Sequence, residues 1–154
     1  MMELNPNGEA PRPRVGIGIL IQNQNGQVLL ARRKTGALHG NGEYAFPGGH
    51  LEFGETLFEG AKREVKEETG LDVDEFKLIS VNEEMRYLKT DNKHYIGLGV
   101  WAKYKGGEPQ IMEPEKSESW EWFNLDHLPE KMFQGTELTL CNFKAGKIYQ
   151  ANHS

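Results

Sequence analysis

The chain has 154 residues, of which 37% are hydrophobic and 27% are charged, and its formal net charge is −5. This length and composition indicate a single globular domain that can bury a core without disulfide bonds. The negative charge argues against a nucleic-acid polymer bound through a basic face. It leaves room for a small anionic substrate, because a divalent cation can supply the missing positive charge.

The cysteine content and the apolar runs bear on the cellular compartment. Cys141 is the single cysteine, and we expect it to be a small buried hydrophobe rather than a nucleophile. A chain without an intrachain disulfide fits the reducing cytoplasm. Residues 1–14 lack the apolar segment of a signal peptide, and the longest apolar run, 17–21, is too short to span a bilayer. We therefore expect a cytoplasmic protein without a membrane partner.

The pattern along the chain predicts a layered fold. Residues 1–14 carry few apolar groups, so we expect a flexible tail followed by one domain over residues 15–154. Hydrophobic periodicity predicts strands at 15–22, 27–32, 44–46, 76–86, 94–104 and 120–123, and helices at 56–69 and 137–146. Turns, loops or a single helical turn are predicted at 23–26, 34–43, 48–49, 88–93, 113–118 and 125–128. Strands mixed with two separate helices favour an α/β/α or α+β layer fold.

The helix predicted at 56–69 carries the clearest local signals. Thr56 and Glu59 form a T-x-x-E capping box, and Gly70 suits the position after the last turn. One stripe of apolar residues at helical spacing should face the core. Its members are Phe58, Ala61 and Val65.

Three carboxylates lie at positions i, i+3 and i+4 of this helix, namely Glu64, Glu67 and Glu68. At ~100° per residue they share about a third of the helix circumference. Like charges at this spacing repel by a few tenths of a kcal/mol per pair, and a hard cation is one way to offset that cost. Oxygen ligands at this density suit Mg²⁺ or Mn²⁺ better than Zn²⁺.

Two further features belong to the same segment. Arg63 can pair with the earlier Glu55, which would hold the preceding loop against the helix. For the helix taken alone, the alternative is a solvated acidic face balanced by Lys62 and Lys66.

The segment Gly49 to Leu71, GHLEFGETLFEGAKREVKEETGL, resembles the Nudix box. It fills every specified position of the pattern G-x₅-E-x₇-R-E-U-x-E-E-x-G-U, where U is a bulky aliphatic residue. The flanking strand pattern is similar to the Nudix α/β/α sandwich, in which a mixed β-sheet lies between helices. The resemblance implies a Mg²⁺-dependent hydrolase, with Mn²⁺ possible, in which water attacks a phosphorus of a nucleoside diphosphate linked to a further group.

The resemblance also implies roles for particular residues. Glu55 and Arg63 would brace the loop. The general base would be a box glutamate or an acid from the loop at 113–118, where we rank Glu115 ahead of the other candidates, Glu113 and Glu118. The cation ligands would be the carbonyl of Gly49 and the carboxylates of Glu64, Glu67 and Glu68, and these three glutamates would also be catalytic.

Segments 47–55 and 113–122 resemble more closely the mammalian nucleotide triphosphate diphosphatases of this family, which act on guanine nucleotides, including thiolated ones. This resemblance implies that a homodimer converts a (deoxy)nucleoside triphosphate to the monophosphate and pyrophosphate. Gly48, Gly49 and His50 would lie near the phosphates. After Pro129 the chain differs from those enzymes, so base specificity does not transfer. Residues considered for contact with the base, each equally compatible with the core, are Arg32, Tyr44, Phe46, Tyr95 and Leu98.

Two other functions remain open at this point. One is a pyrophosphatase acting on ADP-ribose or a nucleotide sugar. Such enzymes often carry a proline well downstream of the box, but the first proline after Leu71 is Pro109, a spacing that does not support this activity. The other is a non-catalytic nucleotide-binding regulator, although such proteins often lack box glutamates that this chain retains.

Overall fold

The secondary structure is seen in a computed structural model, which describes residues 3–34 and 42–151. In chain order the elements are β1 (Arg14–Gln22), β2 (Val28–Arg33), β3 (Tyr44–Ala45), β4 (Gly48–His50), α1 (Leu57–Thr69), β5 (Phe76–Glu84), α2 (Leu88–Asp91), β6 (Tyr95–Lys103), β7 (Ser117–Phe123) and α3 (Gln134–Ala145). The loop predicted at 34–43 falls mostly on residues 35–41, which lie outside the described residues.

Strand β1 is the central strand of a mixed sheet. It pairs in parallel with β6 along its whole length, from Arg14 opposite Tyr95 to Gln22 opposite Lys103. It also pairs antiparallel with the short β4, while β5 continues the sheet on the far side of β6. It meets β2 at Gln22 and Val28, and β2 then pairs with β3 and β7. The α/β class with a mixed sheet is therefore confirmed.

The two faces of the sheet are covered by different helices. In β1, Ile19 and Ile21 belong to a core cluster that includes Val65 of α1. Leu20 belongs to a second cluster that includes Leu140 of α3. This division follows from the alternation of side chains along a strand. It produces three layers with α1 and α3 on opposite sides, and each fully buried aliphatic side chain contributes about 1.5–3 kcal/mol.

Helix α1 begins and ends as its sequence predicts. The Thr56 N–H donates to Glu59 Oε1 at 3.0 Å, and the Glu59 N–H donates to Thr56 Oγ1 at 3.3 Å, which completes the capping box. Gly70 ends the helix with a left-handed φ of 76°. Ala61 and Val65 are fully buried as expected.

The same stripe was predicted to bury Phe58, and this is wrong. The Phe58 side chain is 40% exposed and stacks on the ring of Phe76, with the ring centroids 5.3 Å apart. Phe58 therefore lies at the border of the helix–sheet contact, beside the start of β5, rather than at its centre.

The turn predicted at Gly48-Gly49 is also wrong, since both residues belong to β4. Gly48 pairs with Gly18 of β1, and a Cβ on Gly48 would lie 2.1 Å from the carbonyl oxygen of Ile17. The glycine is required for close approach of two backbones and not for a positive φ.

Four smaller differences concern the second half of the chain. A single helical turn, α2, stands where a loop was predicted, and α3 begins at Gln134 rather than Glu137. Residues 125–128 form a turn and not a helix. Cys141 is exposed, because it lies on the outer side of α3. Among the helices that the structure describes, none has the length and apolar character needed to cross a bilayer.

The capping box should contribute measurably to stability. Replacing Thr56 with Ala removes the oxygen that accepts the Glu59 N–H, and we expect the free energy of unfolding to fall by about 1 kcal/mol. Urea unfolding of the wild type and of Thr56→Ala measures this difference. The control, Thr56→Ser, keeps the hydroxyl and should retain most of the stability; an equal loss in both variants would argue against capping.

Candidate active site

Arg63 of α1 clamps the loop that joins β4 to the helix. Its guanidinium donates to both Glu55 oxygens, from Nε at 2.9 Å and from Nη2 at 2.6 Å, and Nη2 also donates to the His50 carbonyl at 3.0 Å. Glu55 Oε1 in turn accepts the Glu52 N–H at 2.8 Å. The bond from Arg63 holds the pKa of Glu55 at about 2. The structure thus brings Glu55 and Arg63 together in a two-pronged charged contact, a rigid geometry.

The third nitrogen of the same guanidinium faces the acids of α1. Arg63 Nη1 lies 2.9 Å from Glu64 Oε1 and 3.2 Å from Glu67 Oε2. In the described parts of the chain, no three acidic, histidine or cysteine side chains converge on one point. Arg63 accounts for this arrangement, because it draws Glu64 and Glu67 toward itself.

Glu64 and Glu68 carry acidic groups in surroundings that disfavour their charge. Burial raises the pKa of Glu64 above its ordinary value, and burial raises that of Glu68 to about 8. The neighbouring Glu113 raises both pKa values further, and Glu64 raises that of Glu68. Glu68 Oε2 accepts the Gly48 N–H at 2.7 Å, which ties α1 to β4. The cluster holds more negative charge than its protein partners neutralise.

These donors fit a hard divalent cation. Clustered carboxylate oxygens, partly removed from water and repelling one another, gain from a compact positive charge. Gly49 leaves the space next to them open, since a Cβ at this residue would lie 2.5 Å from Glu64 Oε1. A metal site at Gly49, Glu64, Glu67 and Glu68 stays a prediction from the sequence.

His50 is held at the mouth of the site by Tyr95. Its Nε2 lies 2.9 Å from the Tyr95 hydroxyl, and the two rings stack with their centroids 5.4 Å apart. Burial, and then the positive charges of Arg14 and Lys93, lower the pKa of His50 below its ordinary value. A neutral imidazole in this position can donate a hydrogen bond from its ring N–H to a substrate oxygen.

A cavity of about 150 Å³ adjoins the acid cluster. It is lined by the segment Gly48–His50, by β5 and β6, and by the beginning of α3. Three residues considered for base contact line it, namely Phe46, Tyr95 and Leu98.

The other two candidates for base contact lie elsewhere. The Tyr44 ring packs edge-on against Phe123, and Arg32 forms a 2.8 Å ion pair with Glu118. Arg33 lines the cavity instead, with its guanidinium 5.2 Å from the centre of the Phe133 ring. The pairing of β2 with β7 shifts register between Arg32 and Arg33, an irregularity that the sequence pattern does not reveal. Arg33 and not Arg32 therefore lines this cavity, and a substrate contact by Arg32 stays a prediction.

Among the acids of the later loop, Glu113 lies within electrostatic reach of the cluster. Its charge acts on both Glu64 and Glu68, and its carboxylate also pairs with Lys116 at 3.1 Å. Glu115 is exposed, and Glu118 pairs with Arg32. Of these three acids, Glu113 is the one whose charge acts on both Glu64 and Glu68, while the choice of Glu115 as general base stays a prediction.

Two buried residues of the cavity wall were not predicted from the sequence as site residues. They are Asn82 and Glu84 of β5. Together with Ser80 they form a polar row at alternate positions of a strand, on a face that is buried. The signal was present in the sequence, because the alternation in this strand places polar residues on the buried side.

The comparisons with known proteins agree with this geometry. Residues 12–143 match the NUDIX domain, and the chain therefore belongs to the Nudix family of hydrolases. It is 34% identical over 124 residues to an ADP-ribose pyrophosphatase from Methanocaldococcus jannaschii, a match that covers 79% of this chain and 68% of that protein. The fold is similar to the crystal structure of a MutT Nudix hydrolase from Burkholderia pseudomallei, with a TM-score of 0.78 and 30% identity, covering 86% of this chain and 98% of the other.

The matches to plant members of the family are shorter. The chain is 48% identical over 61 residues to Nudix hydrolase 2 of Arabidopsis thaliana, which is 40% of this chain and 22% of the plant protein. A second Arabidopsis relative is likewise matched over 23% of its length.

Arg63 should affect turnover through the position of the loop. Lysine cannot make the two-pronged contact with Glu55 and reach the His50 carbonyl as well, so we expect Arg63→Lys to lower kcat about 10- to 100-fold. Steady-state hydrolysis at saturating substrate and metal measures the effect. The matched control is Arg12→Lys, at an exposed position, which should leave kcat unchanged. A full kcat in Arg63→Lys would contradict the clamp.

Glu84 should make stability depend on pH. Burial raises its pKa to about 7, whereas in the unfolded chain the group titrates near 4.5. Between these pH values the folded state binds more protons, so the free energy of unfolding falls as the pH rises through this window. Relative to Glu84→Gln, the wild type should lose about 2 to 3 kcal/mol between pH 4.5 and 7. Urea unfolding of both proteins across this range checks the slope; parallel curves would show that Glu84 titrates normally.

Proposed function

We propose that this protein hydrolyses a (deoxy)nucleoside triphosphate to the monophosphate and pyrophosphate in the presence of Mg²⁺, with Mn²⁺ as a possible substitute. One observation carries the proposal: the segment Gly48–His50 borders both the cavity and the acid cluster. A nucleotide whose base enters the cavity would therefore lay its phosphates over this segment and toward the acids of α1.

Each part of the site has a chemical task in this proposal. The cation would be held by Gly49, Glu64, Glu67 and Glu68. When bound, it would shield the phosphate charge, acidify the attacking water and stabilise the leaving oxygen. Phosphoryl transfer depends mainly on position and electrostatics, so the clamp of Glu55 and Arg63 serves catalysis by keeping the loop in place.

The chain offers several carboxylates that could take the proton of the attacking water. They are the box glutamates and, from the later loop, Glu113. We place Glu113 ahead of Glu115 because its charge already acts on Glu64 and Glu68. His50, kept neutral beside Tyr95, would contact a phosphate or ribose oxygen.

A second candidate function is hydrolysis of ADP-ribose or a nucleotide sugar. The observation that favours it is the 34% identity to an ADP-ribose pyrophosphatase. Against it stands the spacing of Pro109 from the end of the box. The third possibility, a regulator without turnover, has less support because every glutamate of the box is present. The homodimer and the cytoplasmic location remain predictions from sequence.

A nucleotide panel separates these functions. We expect release of pyrophosphate from nucleoside triphosphates, dependent on added Mg²⁺ and abolished by a chelator. ADP-ribose and UDP-glucose serve as the competing substrates, with AMP and sugar phosphate as their products. Release of AMP and ribose phosphate from ADP-ribose, with triphosphates left intact, would replace the first proposal with the second. Nucleotide binding without any product would favour the regulator.

The role of the box acids has its own test. Glu68→Gln removes one negative oxygen beside Gly48, and the loss of several kcal/mol of charge stabilisation corresponds to a fall in kcat of at least about 100-fold. The matched control, Glu121→Gln, changes an exposed acid of β7 and should leave kcat as it is. If Glu68→Gln turns over substrate like the control, the chemistry does not pass through this cluster.

A further inference from the structure

The cavity wall contains a buried hydrogen-bond acceptor without a protein donor. Asn82 is 3% exposed, and within residues 3–34 and 42–151 its Oδ1 has no hydrogen-bond partner. Leaving a buried polar atom unpaired is costly, so such an atom calls for an explanation. A ligand donor is one explanation when the atom lies in the wall of a cavity.

The orientation of this amide is set by its other end. Asn82 Nδ2 donates to Ser80 Oγ at 3.0 Å and to Thr139 Oγ1 at 3.3 Å. Ser80 Oγ also accepts from Asn142 Nδ2 at 2.8 Å, so the hydroxyl is itself held in place. Because two partners fix the amino group, Oδ1 is directed away from them, toward Gly97.

Glu84 presents a second acceptor at the same point. A Cβ on Gly97 would lie 1.9 Å from Glu84 Oε2 and 2.3 Å from Asn82 Oδ1. Gly135 gives similar room on the α3 side, where a Cβ would lie 2.9 Å from the same carboxylate. Both glycines therefore let the Glu84 carboxylate lie where a Cβ would clash, and Gly97 does the same for Asn82 Oδ1. Burial is the cause of the raised pKa of Glu84.

We propose that Asn82 and Glu84 determine base specificity, by accepting hydrogen bonds from a nucleobase edge that carries two adjacent N–H donors. The inference rests on the proposed function, because it assumes that the base of the nucleotide enters this cavity. Guanine offers such an edge, with its ring N1–H beside its 2-amino group. Hypoxanthine keeps the ring N–H and lacks the amino group, and adenine has no N–H at N1.

The surroundings of the acceptor pair suit a flat ring. Phe46 provides apolar contact in the cavity wall, and Phe133 adds an aromatic surface beneath Arg33. Cavities for such ligands are mostly apolar, with a few placed polar groups that set orientation. A site that pairs a ligand N–H rejects an analogue without it, because its own buried acceptor is then left unpaired.

The test compares kcat/KM for GTP, ITP and ATP. We expect the wild type to prefer GTP over ITP about 10-fold and over ATP about 100-fold, in line with the discrimination that a two-bond contact to a base provides. Glu84→Gln replaces one acceptor oxygen by a donor, and Asn82→Leu removes the other acceptor. The variant that loses the partner of the 2-amino group should bring the GTP-to-ITP ratio close to one, and the variant that loses the partner of N1–H should reduce the GTP-to-ATP ratio. Both effects should arise mainly through KM.

A neighbouring glutamate supplies the control. Glu83→Gln makes the same change on the opposite, exposed side of β5 and should preserve the ratio. Asn82→Leu also removes the hydrogen bonds to Ser80 and Thr139, so this variant should be less stable. A loss of folded protein lowers kcat/KM for all nucleotides alike, and ratios of kcat/KM therefore report selectivity alone. A wild type that treats GTP and ITP alike, or variants that keep both the GTP-to-ITP and the GTP-to-ATP ratio, would overturn the assignment.

Binding of the monophosphates distinguishes this inference from the proposed function. Calorimetric titration with GMP, IMP and AMP in the presence of a chelator needs no turnover. A preference for GMP that disappears in Glu84→Gln supports the acceptor pair even if no triphosphate is hydrolysed. Hydrolysis of triphosphates with equal binding of GMP and IMP leaves the proposed function standing and refutes the acceptor pair.

Discussion

The contact between Arg63 and Glu55 is the interaction on which the rest of the site depends. It closes the loop between β4 and α1, and the same guanidinium holds the His50 carbonyl and two of the helix acids. One side chain thus positions the segment that borders the cavity and also moderates the repulsion within the cluster. An arginine suits both tasks, because its planar group offers several donors in fixed directions.

The clamp leaves an imbalance of charge among the acids of α1. Arg63 compensates Glu64 and Glu67, while Glu68 is bonded to the Gly48 N–H and is disfavoured by burial and by Glu64 and Glu113. A protein selected for stability alone would do better with fewer acids here, since desolvated like charges oppose folding. The surplus of negative charge is explained if a cation binds to these acids and a polyphosphate binds to the cation.

The sequence predicted the parts of the fold that depend on local signals. The capping box, Gly70 and the buried strands follow from spacing and propensity, and all appear in the structure. Features that depend on packing between distant segments were missed or misread. Gly48 was assigned to a turn, although glycine is required there because β1 passes close to its backbone. The face of β2 on which the Arg32 side chain lies depends on a register shift against β7. The box residues were accessible to sequence because they are contiguous, whereas the cavity combines β5, β6 and α3.

The buried face of β5 shows how a core can accommodate a polar row. Ser80 and the amino group of Asn82 are paired with Thr139 and Asn142 of α3, so most of the row is internally satisfied. At the cavity end of the row, the side-chain oxygens of Asn82 and Glu84 face Gly97 on the neighbouring strand β6. Any other residue at position 97 would fill the space that these oxygens occupy. Side chains that are hydrogen-bonded in such a network are held rigidly. The paired end of the row therefore holds its open end in one orientation, and a group fixed before binding discriminates between ligands better than one that can turn away.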